Sequence, residues 1–240
     1  MRRRLYLMRH AAVAYFGADG LPHDPRTVSL TPDGVEQASK AGDALGGVDF
    51  DRVITSGLQR TVETARIVAP GREPEAWPAF EELRSGRLAD IDKDGLEAAF
   101  AGAFAGTITG DTRFLGGKTF AEIMNRVVSA LQSHVADQAW DTALAVLHGG
   151  VNRAILSYAL TGQLVFFGGF EQAPACINVL DVDDAGRWIV RVVNSAEHLA
   201  VTEHPRSTTM EEYYAEFVST RSRNPQTSSP NGPGSSSIGA

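Results

Sequence analysis

Two histidines in this chain sit in the same setting. His10 directly follows Arg9 and comes just after the apolar run Leu5-Tyr6-Leu7-Met8. His148 follows Leu144-Ala145-Val146-Leu147 and precedes Gly149-Gly150. Each run reads as a short buried strand, so each histidine falls at a strand's carboxyl end. In open α/β sheets, ligands bind in the crevice outside those ends. A histidine beside an arginine there is placed for anion chemistry. Guanidinium groups give planar, forked hydrogen bonds to phosphate oxygens, and a neutral imidazole is a competent nucleophile.

The elements that must position these residues follow from pattern and punctuation. Thr31-Pro32-Asp33-Gly34 opens a helix: threonine caps it, proline suits its first position, and aspartate suits its dipole. Val35, Ala38 and Leu45 fit its inner face. Phe50–Thr55 reads as a second strand, and Ser56-Gly57-Leu58 turns the chain into a helix carrying Arg60, Thr61, Thr64, Ala65 and Ile67, ended by Pro70-Gly71. Thr119-Phe120-Ala121-Glu122 is a capping box for a helix running to about Val135, with Ile123, Val127 and Leu131 inward. Ala143–Leu147 is a strand, followed by a helix from about Val151 to Leu160. Cys176–Val182 and Trp188–Val193 pair around the turn Asp183-Asp184-Ala185-Gly186. Alternating strands and helices predict a three-layer α/β/α fold with a mostly parallel central sheet and an antiparallel edge. Residues 1–218 form one α/β domain, within which the Gly-, Ala- and Phe-rich stretch 84–117 suits a lid or insertion. Residues 219–240, rich in Ser, Pro, Asn and Gly, read as a disordered tail.

Bulk properties narrow the function classes. The 240 residues are 43% apolar, enough for a core, and the formal net charge of −7 argues against nucleic acid or an anionic membrane as partner. A small phosphorylated substrate stays compatible, because a local arginine cluster outvotes the overall sign. No apolar stretch reaches the roughly 18–20 residues of a membrane span, and the basic start Met1-Arg2-Arg3-Arg4 is followed by too short an apolar run for a signal peptide. The lone Cys176 predicts a reducing compartment, the cytoplasm. The six histidines show no zinc-helix pair, one cysteine makes no thiolate cluster, and no Gly-x-Gly-x-x-Gly or Walker pattern occurs, so neither metal nor cofactor is expected. Nothing specifies an oligomeric state.

Taken together, Leu7-Met8-Arg9-His10-Ala11, Ser56-Gly57-Leu58-Gln59-Arg60-Thr61-Val62-Glu63-Thr64-Ala65, His148-Gly149-Gly150 and the closing Asn194-Ser195-Ala196-Glu197-His198-Leu199 resemble, in order, the motifs of the histidine phosphatase superfamily, the phosphoglycerate-mutase-like group. The resemblance runs from about residue 5 to 200. It implies that His10 is the nucleophile of a phosphohistidine route and that Arg9, Arg60 and His148 hold the phosphoryl group, His148 adding a third cation and donor if it is protonated. It also implies a general acid in Phe80-Glu81-Glu82-Leu83-Arg84-Ser85-Gly86, where the family spacing to glycine selects Glu82 over Glu81. Ser56 either caps the helix or joins the site.

This sequence departs from the family pattern in three places. Ala11 replaces the usual glycine, which a tight turn tolerates if its φ is negative. Ala12-Val13-Ala14-Tyr15-Phe16 lacks the hydroxyl and amide residues that touch phosphate in the family, leaving Tyr15 and Phe16 to line a less polar pocket or to pack on the sheet. Lys118 stands where many relatives carry glutamate. The reading is a metal-independent phosphomonoesterase acting on a small phosphorylated substrate. The alternatives are a phosphoglycerate-type mutase, which a bisphosphorylated primer would stimulate, and a non-catalytic phospholigand-binding or regulatory domain, which would form no phosphohistidine. The substrate pocket is expected from residues 11–29 and 84–117, with Phe100, Phe104 and Phe114 either contacting a leaving group or, as their spacing favours, serving as the insertion's own small core.

Overall fold

The computed structural model describes residues 2–17, 23–87, 91–203 and 205–223. In chain order these form β1 (Arg3–Arg9), α1 (Pro32–Leu45), β2 (Arg52–Thr55), α2 (Gln59–Val68), β3 (Glu75–Ala76), α3 (Lys93–Gly102), β4 (Thr107–Ile108), α4 (Phe120–Ala136), β5 (Thr142–Leu147), α5 (Gly149–Thr161), β6 (Phe166–Phe167), β7 (Ile177–Val182), β8 (Trp188–Ser195) and α6 (Thr209–Arg223). The main sheet has the order β3-β2-β5-β1-β7-β8. β3, β2, β5 and β1 are parallel, and β7 and β8 add an antiparallel edge. This is the expected three-layer architecture.

Strand alternation sorts the core into two faces. Leu5, Leu7, Ala143, Ala145 and Leu147 pack with Ile123, Val127 and Leu131 of α4 and Ile155 of α5. Met8, Leu144 and Val146 pack with Ala38, Ala41 and Leu45 of α1 and Ala65 and Val68 of α2. Both faces of the central strands are thus covered, which explains their near-continuous apolar runs. The predicted caps form: Thr31 accepts from the Gly34 N–H, and Thr119 and Glu122 close a capping box.

Three expectations need correction. Val35 is 47% exposed, and Gly34 takes the inward place on α1 instead, because a Cβ there would stand 2.2 Å from the Ala12 carbonyl oxygen. The stretch 84–117, apart from residues 88–90 outside the described set, joins the main core: Phe100 and Phe114 are buried in it, Phe104 packs on Phe114 and Phe166, and β4 pairs with β6. The expected tail boundary also moves, since α6 continues through Arg223. His204 and residues 224–240 lie outside the described residues.

Candidate active site

The carboxyl ends of β1, β2 and β5 converge on one side of the sheet. β1 ends in Arg9 and delivers His10, whose backbone N–H donates to the Leu147 carbonyl at the end of β5. His148 is the N-cap residue of α5. Ser56 follows β2, and Arg60 sits in the first turn of α2. Ala11 is buried, is not among the residues with positive φ, and receives its neighbours through the backbone: its N–H donates to Thr64 Oγ1 at 3.1 Å. Alanine therefore serves where a glycine is usual.

The histidines and Arg60 form one hydrogen-bonded unit. The ring centroids of His10 and His148 are 5.3 Å apart, and the Arg60 side chain bridges them. Its Nε donates to His10 Nε2 at 3.2 Å, and its Nη2 faces His148 Nδ1 at 3.3 Å. His10 Nδ1 lies 2.8 Å from the Ala11 carbonyl oxygen, and His148 Nε2 lies 2.8 Å from Ser56 Oγ. A carbonyl only accepts and a guanidinium only donates, so the partners assign the protons. His10 carries its proton on Nδ1 and keeps a lone pair on Nε2. His148 carries its proton on Nε2 and presents a lone pair to Arg60.

Electrostatics agrees with that assignment. His10 is 1% and His148 0% exposed. Burial, then the charges of Arg60 and Arg9, hold the His10 imidazole well below its usual range. Burial and Arg60 act in the same direction on His148, followed by His10, Arg9 and Arg126. Both rings are neutral near pH 7. The condition attached to His148, that it carry a second proton, is not met in this arrangement, because desolvation and a cation at Nδ1 both oppose that proton. Ser56 joins the site; it does not cap α2, whose N-cap residue is Leu58, although it accepts from the Leu58 N–H at 3.3 Å in the preceding turn.

Arg9 is 3% exposed. Its charge acts on both rings and on Glu82. Glu82 is 4% exposed and sits at the amino end of α5, where Oε1 accepts from the Leu83 N–H at 2.9 Å and Oε2 from the Gly150 N–H at 3.3 Å. Burial raises its carboxyl above the usual range, against those two N–H groups and the charges of Arg60 and Arg9. Gly150 lets the Leu83 and Glu82 side chains approach closely: a Cβ there would stand 2.5 Å from Leu83 Cδ1 and 2.8 Å from Glu82 Oε1, so those side-chain ends would have to shift. Glu81, by contrast, is half-buried and pairs with Arg84 and Arg26.

A cavity of about 90 Å³ opens between these groups, lined by Pro25, Arg26, Leu58, Arg60, Glu81, Glu82, Leu83 and Arg84. It shares Arg60 and Glu82 with the histidine cluster. Only part of its wall comes from the expected stretches 11–29 and 84–117. Tyr15 packs edge to face on Tyr213 at 5.3 Å rather than lining this cavity. Two further groups near the site, one buried and one half-buried, are not legible in the sequence motifs. Arg153, one turn after Gly149 on α5, is 4% exposed and lies over the Phe104 ring at 4.4 Å; an arginine among Val151, Ala154, Ile155 and Leu156 was the available signal. Tyr213, on α6, had none, because its partner Arg9 is 204 positions away.

Comparison with known proteins decides the family. The model of the histidine phosphatase superfamily (branch 1) matches residues 5–195. The chain belongs to this superfamily. It is 28% identical over 203 residues to the adenosylcobalamin/alpha-ribazole phosphatase of Escherichia coli, covering 80% of this chain and 96% of that one. It is 26% identical over 204 residues to the probable phosphoglycerate mutase GpmB of Salmonella paratyphi A, covering 82% and 94%. The solved mycobacterial glucosyl-3-phosphoglycerate phosphatase shares the fold, with a TM-score of 0.67 at 21% identity over 81% of this chain and 100% of that one. This histidine phosphatase is thus an enzyme of the phosphatase class on the phosphoglycerate-mutase-like fold. Among the described residues, no helix is long and apolar enough to cross a membrane.

Proposed function

We propose that this histidine phosphatase is a metal-independent phosphomonoesterase that hydrolyses a small phosphorylated substrate through a phosphohistidine on His10. The observation that carries the reading is the tautomer of His10: the Ala11 carbonyl holds the Nδ1 proton, so the lone pair sits on Nε2, inside the Arg60 fork and beside His148. Phosphate oxygens are stronger acceptors than imidazole nitrogens, so a bound phosphoryl group takes over the Arg60 donors and frees the Nε2 lone pair for in-line attack. Arg9, Arg60 and His148 hold the equatorial oxygens, and a phosphate dianion beside His148 favours the second proton that the ring lacks on its own.

As the P–O bond breaks, the leaving alkoxide takes the proton of Glu82, whose raised affinity for it suits this task. Glu82 then accepts a proton from water. That water attacks the phosphorus, the P–N bond breaks, and inorganic phosphate leaves with His10 restored. The cavity beside Arg60 and Glu82 takes the leaving group, and its charged wall suits a polar one. Two other inferences belong to the same reading: guanidinium groups meet the phosphate charge without a metal, and the buried free thiol of Cys176 suits the reducing cytoplasm.

The test is His10→Ala assayed with p-nitrophenyl phosphate in the presence of a chelator. Turnover falls by at least about 10³-fold while the circular dichroism spectrum is retained. Acid-labile phosphate is trapped on the unaltered enzyme during turnover and is absent from the variant. Unchanged turnover in the variant removes the nucleophile. Phosphoryl transfer stimulated by a bisphosphorylated primer would move the assignment to the mutase, and wild-type protein without turnover or trapped phosphate would leave only a phospholigand-binding domain.

A further inference from the structure

Helix α6 lies outside the stretch matched by the family model, which ends at residue 195, yet it reaches Arg9. A guanidinium has five N–H donors in a planar fork. In Arg9, Nη1 donates to the Gln172 carbonyl at 2.5 Å and to Thr209 Oγ1 at 3.2 Å, and Nη2 donates to the Tyr213 hydroxyl at 3.4 Å. Thr209 spends its own proton on Glu171 Oε1 at 3.2 Å, which turns its lone pairs to Arg9. These three partners use both Nη1 hydrogens and one of the two on Nη2. Nε is buried and has no hydrogen-bond partner. Together with the remaining Nη2 hydrogen it makes the other edge. That same Nε/Nη2 edge of Arg4 grips both carboxylate oxygens of Asp181, at 2.8 and 3.1 Å, and that of Arg60 meets the two imidazoles.

The helix is anchored where it must be to do this. Met210 is buried in the main core, and Tyr214 and Phe217 pack on Phe100 of α3. The Tyr213 ring packs on Tyr15, whose own ring lies 5.9 Å from the Arg60 guanidinium carbon. One residue of α6 therefore touches Arg9 directly and Arg60 through one aromatic ring. The loop after His10, Ala12-Val13-Ala14, carries no side-chain donor of its own.

We propose that Thr209 and Tyr213 are positioning residues of the phosphate site: α6 fixes the rotation of the Arg9 guanidinium so that its open Nε/Nη2 edge meets the phosphoryl group held by His10, Arg60 and His148. The proposal rests on the phosphatase reading of that site. A two-pronged donor loses most of its advantage when its plane turns, because both bonds need the same orientation. The hydroxyls of α6 thus act at one remove, through Arg9.

The experiment uses the full chain with Tyr213→Phe, Thr209→Val and the pair, each made both with Arg9 present and in an Arg9→Lys background. Both substitutions keep the volume that packs and remove the hydroxyl acceptor. The probes are orthovanadate, as an inhibitor that mimics the transferring phosphoryl group, and p-nitrophenyl phosphate turnover. With Arg9 present, the pair raises the vanadate inhibition constant and lowers kcat/KM by about tenfold, with the melting temperature unchanged. In the Arg9→Lys background the same pair changes either quantity by less than about twofold, since an ammonium group has no edge to orient. Vanadate inhibition equal to wild type, or an equal penalty in both backgrounds, overturns the positioning role and leaves the phosphatase reading intact. Wild-type protein that neither turns over the ester nor responds to vanadate removes the underlying reading first.

Discussion

The sheet carries buried histidines at both of its ends, and the two ends treat them differently. At the carboxyl ends of β1 and β5, His10 and His148 have a partner on each ring nitrogen. At the amino ends of the strands, His134 of α4 is 2% exposed, and neither of its ring nitrogens has a hydrogen bond. It stacks on Trp140 at 4.4 Å and meets the edge of Trp77 at 5.7 Å, beneath a cation–π contact from Arg3 to Trp140. Burial lowers the proton affinity of all three rings. The contrast shows that burial alone does not prepare an imidazole for chemistry. His134 is a flat ring filling an aromatic slot, whereas His10 has one nitrogen pinned by a carbonyl and the other aimed among guanidinium donors.

Arg60 is the group that distinguishes the two ends most, so its removal has the largest effect on the contrast. Arg60→Ala takes away a phosphate donor and is expected to lower kcat/KM by about 10²–10³-fold. It also removes a charge that holds His10 and His148 below the usual range. His10 must be neutral to attack, so as its proton affinity rises the acid limb of the kcat/KM profile shifts to higher pH. A slower enzyme with an unmoved acid limb would show that Arg60 binds phosphate without tuning the nucleophile.

Glu82 sharpens the comparison from the acid side. Its carboxyl is raised by burial, and it must be protonated when the ester bond breaks. Activity is therefore lost as pH rises through that raised value. Glu82→Gln removes this alkaline limb and lowers turnover of an alkyl phosphate by about a hundredfold. With p-nitrophenyl phosphate, whose leaving group needs no proton, the first step changes far less. Equal losses on both esters would assign Glu82 to the second, water-activating step alone.

Legibility followed the distance over which each contact is made. The strands that end in Arg9 and His148, the caps of α1 and α4 and the pairing of β7 with β8 are local patterns, and their outcome is local. The meeting of His10, Arg60 and His148 was readable because three strand-end motifs share one edge of a parallel sheet. Glu82 is picked out by its spacing to Gly86, and the fold places its carboxylate against the Gly150 N–H. Thr209 and Tyr213 were not readable, because they meet Arg9 across 200 and 204 positions. The phenylalanines of 84–117 were misplaced for the same reason. Their core includes the pairing of β4 with β6, 60 positions further on for Thr107 with Phe167 and 58 for Ile108 with Phe166.

His134 gives the smallest effect, and it is read in stability rather than turnover. Burial first, then the charges of Arg52 and Arg3, lower its proton affinity to about 4, with Asp137 opposing, against 6.5 for the free side chain. Between those values the unfolded chain binds a proton that the folded one refuses, so stability falls as pH drops from about 6.5 towards 4. That single ring accounts for a loss of up to about 3 kcal/mol by pH 4. His10 and His148 act with the same sign, so the slope of the native chain sums both ends of the sheet. His134→Phe keeps a flat ring between Trp77 and Trp140 and removes the titration. Urea unfolding between pH 7 and pH 4 is expected to show a shallower decline for this variant, with the residual slope shared by His10, His148 and the carboxylates held below their usual range, such as Asp51 and Asp181, and opposed by Glu82. Parallel curves for variant and wild type would mean that His134 gains its proton without leaving the stack, and that the two ends differ less than their hydrogen bonds indicate.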